Sequence, residues 1–357
     1  MSMAFVRRLA EVGAADRPSA GGKAAALGEL TRAGLPVPGG CVVTAAAFGR
    51  AMAAVDPSGA LVRSVGEVAA GDVSAIAGAA ARVRAVITGA PMPPEVASAI
   101  TGAYQDLNAA AVAVRSSATM EDTAEASFAG LQDTYLAVRG ASAVLDAVRG
   151  CWASLWNSES VGYRRRLGLP EDGLAMGVVI QRMVSPRAAG VMFTRSPVTG
   201  DRSVVAIEGT WGLGSALVGG EVTPDGFTVS KVTGEITGRR VGAKLRLHYF
   251  SQNDPGISVQ DMPVALRRRA CLTDDEARAL ASVARRVEDH YGAAQDIEWA
   301  LLGDSPDHPA LHGEPADRIV VLQSRPETVW AARDAGPVAT PKARAADHVL
   351  SRLVNPL

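Results

Sequence analysis

Two short stretches near the end of the chain place polar side chains at spacings that suit metal and phosphate binding. Asp296 and Glu298 in "QDIEWA", and Gln323 and Arg325 in "VVLQSRPE", are each two residues apart. Side chains alternate along a strand, so each pair shares one face if its segment is a strand. A hairpin of the two strands would present carboxylates and an amide for Mg²⁺ beside an arginine for phosphate. A solvated sheet face has the same pattern, so the spacing alone leaves both interpretations open.

Two basic residues upstream occupy positions that favour phosphate oxygens. Lys23 follows two glycines at the start of a predicted helix, and Arg115 ends an apolar strand before a loop rich in Ser, Thr and carboxylates. Free backbone N–H groups together with a fixed cation bind phosphate. Ordinary surface charges would look the same. A P-loop is excluded because G-x-x-x-x-G-K-[ST] does not occur, and "GTWGLGSALVGG" does not begin a βαβ unit as a dinucleotide fingerprint does.

Other kinds of catalytic site have little support. None of the five histidines lies in a Gly- and Ser-rich loop that would expose the imidazole, so surface or packing roles are expected for all of them. The sequence contains no G-x-S-x-G and no H-E-x-x-H, which argues against hydrolase and zinc-enzyme activities. The three cysteines match no disulfide or metal spacing, so we expect buried or incidental thiols in a reducing compartment.

Composition predicts a soluble, cytoplasmic protein. The 357 residues are 48% hydrophobic and 20% charged, which is ordinary for a globular chain. A net charge of −1 without a basic block gives no indication of nucleic acid as a partner. The N-terminal segment has no long apolar core, and the apolar runs are interrupted by Gly and Arg before they reach the length of a membrane span, so no membrane partner is expected.

The order of predicted elements indicates an α+β fold with two lobes. Helical patterns continue to about Asn108, the Arg115 strand follows, and residues 143–168 read as one amphipathic helix. From Ala175 onward strands dominate, apart from a helix with a Thr cap and an acidic first turn. We therefore expect an N-terminal lobe over residues 1–174, a C-terminal lobe over 175–332 and a linker-like tail over 333–357.

Several longer stretches add a specific resemblance. They are, in order, "GGKAAALGELTRAGLPVPGG", "AVRSSATMEDTAEASFAGLQDTYL", "GVMFTRSPVTGD", "TWGLGSALVGGEVTPDGF", "DIEWA" and "LQSRPET". Together they resemble the N-terminal ATP-binding domain of phosphoenolpyruvate synthase, pyruvate phosphate dikinase and rifampicin phosphotransferase, over about residues 20–330. The resemblance implies a bilobal, ATP-grasp-like fold that binds ATP and Mg²⁺ between its lobes.

The resemblance also implies a role for each matching position. Lys23, Arg115 and Arg325 are the implied catalytic residues. A loop ending at Thr134 would cover the phosphates, with Gly130 allowing close backbone approach. The stretch from Gln181 to Val184 would line the adenine pocket. The implied ATP-binding residues are Lys23, Arg115, Ser127, Gly130, Thr134, Gln181, Met183, Val184, Thr194, Asp296, Glu298, Gln323 and Arg325, of which Asp296, Glu298 and Gln323 are also the implied metal ligands.

One departure from the family pattern shapes the expected function. The sequence contains neither the T-x-H nor the G-G-x-x-S-H histidine loop, and about thirty residues follow "LQSRPET". We expect a split arrangement like that of kinases resembling phenylphosphate synthase. This chain would convert ATP to AMP and phosphate while phosphorylating a histidine on a partner protein, which would then phosphorylate a small-molecule acceptor. The alternatives are a direct kinase or ligase that gives ADP, and a non-catalytic ATP-binding module.

Overall fold

Helices and antiparallel strands both contribute to the computed structural model, which describes residues 4–69, 71–119, 133–250, 256–303, 314–328 and 330. The strands are β1 (Val6–Arg8), β2 (Gly40–Val43), β3 (Val112–Ala118), β4 (Thr134–Val138), β5 (Met176–Arg182), β6 (Pro186–Phe193), β7 (Val204–Trp211), β8 (Asp225–Ser230), β9 (Ile236–Arg240), β10 (Arg246–Tyr249), β11 (Ser258–Asp261), β12 (Gln295–Leu302) and β13 (Ile319–Pro326). The α-helices are α1 (Arg17–Ala20), α2 (Gly22–Arg32), α3 (Ala45–Val55), α4 (Ala60–Gly66), α5 (Val73–Gly89), α6 (Pro94–Asp106), α7 (Ala141–Ala153), α8 (Ser158–Arg166), α9 (Ser215–Val218), α10 (Val264–Arg267) and α11 (Asp274–Tyr291). Short 3₁₀ helices cover Leu9–Glu11, Ala14–Asp16, Ser154–Trp156 and Pro315–Arg318. The mixture confirms the predicted α+β class.

The first sheet has the strand order β1-β2-β5-β3-β4, and all neighbouring strands are antiparallel. Helices α5, α6 and α7 contribute to the core on one face of this sheet, where Trp152 and Ile100 are buried. The sequence expectation placed β5 in the C-terminal lobe, after a boundary near Leu174. Residues 176–181 are instead buried throughout, because β5 is the central strand between β2 and β3 and both of its faces are covered, Ile180 packing in the core with α5–α7 and Val179 packing with Leu27 of α2. The chain therefore passes from the first sheet to the second at residues 183–185.

The second sheet has the strand order β13-β12-β6-β7-β8-β9, again antiparallel throughout. Helix α11 packs against it, and Leu280 of the helix shares a core with Trp299 and Phe227 of the sheet. The predicted cap of α11 is confirmed, since Thr273 Oγ1 accepts a hydrogen bond from the Glu276 N–H (3.3 Å). Strands β10 and β11 form a separate two-stranded sheet.

Helix α2 lies between the two sheets and contacts both. Leu27 packs with Val42 and Val179 of the first sheet, whereas Leu30 belongs to the core of the second. Beyond the helix, the carbonyl of Pro36 accepts a hydrogen bond from the N–H of residue 321 in β13 (2.8 Å). Helix α2, whose first turn carries Lys23, is therefore held by both sheets.

The region predicted as one helix over residues 143–168 is broken in the structure. Helix α7 and its 3₁₀ extension end at Trp156, and α8 begins at Ser158. Asn157 between them has an extended backbone (ψ 147°), and its side-chain amide donates to Asp133 Oδ1 at 3.0 Å. A long-range contact of this kind is invisible to helical periodicity, which explains the wrong prediction.

The three cysteines are buried and unpaired, which confirms the prediction of buried thiols. Burial raises the pKa of the Cys41 thiol to about 12 and raises the pKa of Cys151 and Cys271 in the same way. Thiolates are the reactive form of cysteine, so all three side chains are chemically inert near neutral pH.

No single helix within the described ranges is long and apolar enough to cross a membrane. Helices α5 and α6 reach that length and apolarity only as a pair, and they are bent by 72° at the break between them. Val83 of α5 and Ile100 of α6 are buried in the core against the first sheet.

Candidate functional site

Strands β12 and β13 pair as the hairpin that the sequence predicted. In the antiparallel register Asp296 lies opposite Arg325, and Glu298 lies opposite Gln323. Directly opposed residues project to the same face of a sheet. One face therefore presents two carboxylates, an amide and a guanidinium, which confirms the arrangement expected from the spacing.

Arg115 of the first sheet reaches this face of the second. Its Nη2 donates to Glu298 Oε2 (2.6 Å) and to Gln323 Oε1 (2.9 Å), and its Nη1 donates to the carbonyl of Leu322 (2.9 Å). The neighbouring side chain of Val114 is buried in the core beneath α5–α7, so alternation along β3 turns Arg115 to the opposite face. The side chain of Arg115 is only 12% exposed, and the guanidinium thus joins the two sheets inside a partly closed cleft.

Lys23 lies beside Arg115. The turn before Lys23 is held by the hydroxyl of Ser117, a residue that the sequence analysis did not single out. The Lys23 ammonium donates to the carbonyl of Ser116 at 2.6 Å. Ser117 Oγ accepts from the Ala24 N–H (3.0 Å) and donates to the Ala20 carbonyl (3.0 Å). Ser117 follows two residues after Arg115, and this spacing places both on one face, a signal that was available in the sequence.

The turn between α1 and α2 requires glycine at position 21. Gly21 has φ +82°, and a Cβ there would come within 1.9 Å of the Ser117 carbonyl oxygen. Both observations exclude larger residues, since only glycine adopts this backbone freely and permits such close approach. The glycine therefore allows the start of α2 to dock directly on β3.

The charges of the cluster affect the two carboxylates in opposite directions. Burial disfavours ionisation of Glu298, but Arg115, Lys23 and Arg325 outweigh it, and the pKa of Glu298 lies below its ordinary value. Burial is also the largest influence on Asp296, where it exceeds the effect of Arg325, and the pKa of Asp296 is raised. Glu298 therefore keeps its negative charge to a lower pH than a carboxylate in water, whereas Asp296 loses its charge at a higher pH than usual.

Asp296 and Arg325 form their own pair at the end of the hairpin. Arg325 donates from Nε (2.8 Å) and from Nη2 (2.6 Å), and both bonds go to Asp296 Oδ2. This oxygen of the expected metal ligand is thus occupied by the guanidinium. The pairing puts the two residues next to Glu298 and Gln323, where the sequence placed them.

The expected phosphate-covering loop is described only at its end. Thr134 is exposed and lies directly opposite Arg115 in the pairing of β3 with β4. Ser127 and Gly130 lie outside the described residues. Thr134 is therefore beside the cluster, and its contact with a nucleotide stays a prediction, as do those of Ser127 and Gly130.

The expected adenine-lining stretch coincides with the connection between the sheets. Gln181, near the end of β5, is buried, and its amide donates to the carbonyl of Pro38 at 3.2 Å. The N–H of Met183 donates to the carbonyl of Ala111 (3.0 Å), and Val184 follows at the crossover. The stretch is well placed for a hinge, while its contact with adenine stays a prediction.

Thr194 does not join the Arg115 cluster. Its side chain is fully buried, and its hydroxyl accepts a hydrogen bond from the Gln295 N–H at 2.8 Å. The backbone N–H of Thr194 also donates to the Gln295 carbonyl (2.9 Å), which extends the pairing of β6 with β12. In the structure Thr194 holds the end of β6 to the start of β12, next to Asp296. Its contact with a nucleotide stays a prediction.

The donor set of the cluster fits a hard divalent cation. Arg115 Nη2, a positively charged group, already lies between Glu298 Oε2 and Gln323 Oε1, so these oxygens converge on one cationic centre. Within the described ranges no three or more Asp, Glu, His or Cys residues are grouped as a metal centre. Magnesium in phosphate-transfer sites takes one or two protein ligands and completes its shell with phosphate oxygens and water, and this cluster suits that mode.

A surface cavity of about 740 Å³ lies elsewhere in the first sheet. Its lining includes Phe5, Arg7, Cys41 and Asp106, along the edge formed by β1, β2 and the end of α6. None of its lining residues belongs to the Arg115 cluster. The charges and converging donors, rather than this cavity, define the candidate site.

The chain matches a known protein family over most of its length. Residues 17–346 match the model described as the pyruvate phosphate dikinase AMP/ATP-binding domain. This chain belongs to that family. The match includes every described member of the cluster and both sheets, apart from β1.

Relatives of this dikinase-family domain are considerably longer proteins. A rifampicin phosphotransferase from a Streptomyces species is 45% identical over 332 residues, which cover 92% of this chain and 36% of that protein. A probable phosphoenolpyruvate synthase from Methanothermobacter thermautotrophicus is 40% identical over 331 residues, covering 91% of this chain and 46% of that protein. A phosphoenolpyruvate synthase from Aeropyrum pernix is 38% identical over 343 residues, with coverages of 88% and 41%. The chain thus spans less than half the length of these relatives.

Proposed function

We propose that this domain binds Mg·ATP between its two sheets, in a bilobal ATP-grasp-like manner, and cleaves it as the ATP-using part of a dikinase-type phosphotransferase. The observation that carries the proposal is the Arg115 cluster, in which a cation from one sheet meets a carboxylate and an amide from the other. Membership of an AMP/ATP-binding family supports the nucleotide. The names of the relatives, which are phosphotransferases and phosphoenolpyruvate synthases, support the reaction class.

Each residue of the cluster has a task in this proposal. Lys23 and Arg115 bind phosphate oxygens, because fixed cations stabilise the charge that develops in phosphoryl transfer. Glu298 and Gln323 would hold Mg²⁺, which neutralises phosphate charge when bound, and Asp296 would assist through its second oxygen. Arg325, held in place by Asp296, supplies a further positive charge to the reacting phosphates.

A histidine on a separate partner protein is proposed as the first phosphoryl acceptor. The imidazole nitrogen attacks the β-phosphorus, the bond from that phosphorus to the oxygen of the α-phosphate breaks, and AMP leaves. Water then removes the γ-phosphoryl group as phosphate, and phosphohistidine remains for transfer to a small-molecule acceptor. The absence of the family's histidine loops from these 357 residues supports an acceptor outside them, and a cytoplasmic location would supply both ATP and Mg²⁺.

Product analysis tests the proposal and separates it from the alternatives. The protein is incubated with Mg·ATP, alone and with the product of a neighbouring gene that encodes a histidine-loop domain, and nucleotides are separated by chromatography. We expect AMP and phosphate in equal amounts, formed only with the partner and abolished by Glu298→Lys. Release of ADP by the protein alone would instead support a direct kinase or ligase. Binding of ATP without turnover under either condition would support a non-catalytic module.

A further inference from the structure

The carboxylate of Asp133 joins the residue before β4 to the break between α7 and α8. Its Oδ1 accepts a hydrogen bond from Asn157 Nδ2 at 3.0 Å, and its Oδ2 accepts one from the Tyr135 hydroxyl at 3.2 Å. Burial and the negative charge of Asp133 raise the pKa of Tyr135 to about 12, so the phenol keeps the proton that it donates. Asp133, Asn157 and Tyr135 together form the Asp133 tie.

Two features of the sequence serve this tie rather than the helices around it. Asn157 is the N-cap residue of α8, yet its side chain turns to Asp133 instead of to that helix. An N-cap Asn ordinarily accepts from its own helix, so the contact with Asp133 replaces a local stabilising bond. Position 150 in α7 is glycine, and a Cβ there would overlap the Tyr135 hydroxyl. The surrounding helices are therefore shaped to admit the tie.

The backbone of Asp133 connects the tie to the strand that carries Arg115. Its carbonyl accepts from the Ser116 N–H (3.4 Å) and from the Cys151 thiol (Sγ to O, 3.7 Å). Thr134, the next residue, lies directly opposite Arg115 in the pairing of β3 with β4. The tie thus holds β4 against the part of β3 that contains Arg115.

Ser116 leads directly from the tie to Lys23. The carbonyl of Ser116 accepts from the Lys23 ammonium at 2.6 Å. Burial raises the pKa of the Cys151 thiol, the positive charge of Lys23 opposes that increase, and the negative charge of Asp133 adds to it. Charge effects weaken with distance, so Lys23 and Asp133 both lie near the same thiol. Contacts and charges therefore connect Asp133 with both cations of the candidate site.

We propose that the Asp133 tie positions Lys23 and Arg115 for phosphate oxygens by fixing the pairing of β3 with β4. The proposal rests on the proposed ATP site and extends it to three residues that the sequence analysis did not single out. These residues act through the strands and need no contact with the nucleotide. A displacement of about 1 Å can remove much of the effect of a positioned group, so loss of the tie should weaken phosphate binding in particular.

A reciprocal exchange of Asp133 and Asn157 tests the positioning role. Calorimetry measures binding of Mg·AMP-PNP, an ATP analogue that is not cleaved. Asn157→Asp places two carboxylates against each other, and we expect about tenfold weaker binding, the loss that one displaced hydrogen bond to a charged group causes. The start of α8 is not weakened by this change, because Asp caps a helix as well as Asn does.

The double variant Asp133→Asn/Asn157→Asp should recover the affinity of the wild type. The new amide at position 133 donates to the carboxylate at position 157, and its oxygen still accepts from Tyr135. Asp133→Asn alone should bind almost as the wild type does, because both amides can rotate to pair with each other. Recovery in the double variant would show that the two positions act through one contact.

Adenosine binding, followed by NMR titration, separates positioning from a general loss of structure. Adenosine carries no phosphate, so Asn157→Asp should bind it as the wild type does. The control variant is Asp72→Ala, which removes the cap of α5, where Asp72 Oδ1 accepts from the Ala75 N–H at 2.8 Å. Asp72→Ala should change the affinity for neither ligand.

Hydrogen exchange of the Ser116 amide tests the tie without any nucleotide. Exchange should be faster in Asn157→Asp and should return to the wild-type rate in the double variant. Unchanged exchange or wild-type Mg·AMP-PNP affinity in Asn157→Asp, no recovery in the double variant, or equal weakening for adenosine would each overturn the positioning role. Failure of the wild-type protein to bind Mg·AMP-PNP would instead contradict the proposed function itself, and the positioning role with it.

Discussion

Replacement of Arg115 by methionine is expected to raise the affinity of the nucleotide-free protein for Mn²⁺, a spectroscopic substitute for Mg²⁺, while abolishing ATP cleavage. Without nucleotide, the guanidinium occupies the two oxygens that would bind the metal, at 2.6 Å from Glu298 and 2.9 Å from Gln323. A metal ion must displace it, and hydrogen bonds to charged groups are worth about 1.5–3 kcal/mol, which corresponds to an increase in affinity of about tenfold or more. Lys23 and Arg325 still favour ionised Glu298 in the variant.

Electron paramagnetic resonance of free Mn²⁺ measures this affinity directly. The control is Arg278→Met, which removes an exposed arginine of α11 that pairs with Asp275 and should change nothing. Circular dichroism verifies that both variants fold. Equal or weaker Mn²⁺ binding in folded Arg115→Met would mean that Glu298 and Gln323 are not the metal ligands.

Replacement of Lys244 by methionine is expected to cause the largest loss of stability in the second sheet. Lys244 and Asp225 are both fully buried, and the ammonium lies 2.5 Å from Asp225 Oδ1. Asp225 Oδ2 also accepts from the Cys271 N–H (2.7 Å), so the carboxylate organises the loop before α11. Removing one partner leaves a buried charge without its counter-ion, which costs about 3–5 kcal/mol.

Urea unfolding at neutral pH measures the loss. The matched control is Arg246→Met, since Arg246 pairs with Asp261 at the surface, where the two side chains are 51% and 73% exposed. Exposed pairs contribute about 0–1 kcal/mol, so this variant should unfold almost as the wild type does. The double variant Asp225→Asn/Lys244→Met should recover part of the loss, because neither charge remains. A free energy of unfolding within 1 kcal/mol of wild type for Lys244→Met would contradict the prediction, given the cost of about 3–5 kcal/mol for breaking a buried pair.

Local patterns in the sequence were sufficient for the elements and for part of the site. Alternation placed Asp296 with Glu298 on one face and Gln323 with Arg325 on one face, and the register of the hairpin then brings the two pairs together. The Thr273 cap located the start of α11, because the capping pattern of Thr273 and Glu276 spans only four consecutive residues. Features of this kind depend on spacing within one element, which a sequence displays directly.

Contacts between distant segments could not be predicted in the same way. The insertion of β5 between β2 and β3 depends on pairing with strands that are distant in the sequence, and it places the change of sheet beyond Leu174. The bond from Arg115 to the carbonyl of Leu322 joins residues 207 positions apart, and no periodicity records it. The break at Asn157 likewise follows from its contact with Asp133. Resemblance to a family implied the roles that are proposed for the cluster residues, whereas the structure supplied the distances between them.

The central claim is that the nucleotide binds where Arg115 meets the β12–β13 hairpin, and calorimetric titration with Mg·AMP-PNP tests it most directly. The wild-type protein should bind one equivalent, and Glu298→Lys should lose binding by at least about a hundredfold, since the reversed charge repels the metal and removes a ligand. Glu235→Lys, a charge reversal at an exposed carboxylate in the turn before β9, should bind as the wild type does. Equal affinity in wild type and Glu298→Lys, or no binding by the wild-type protein, would contradict the account.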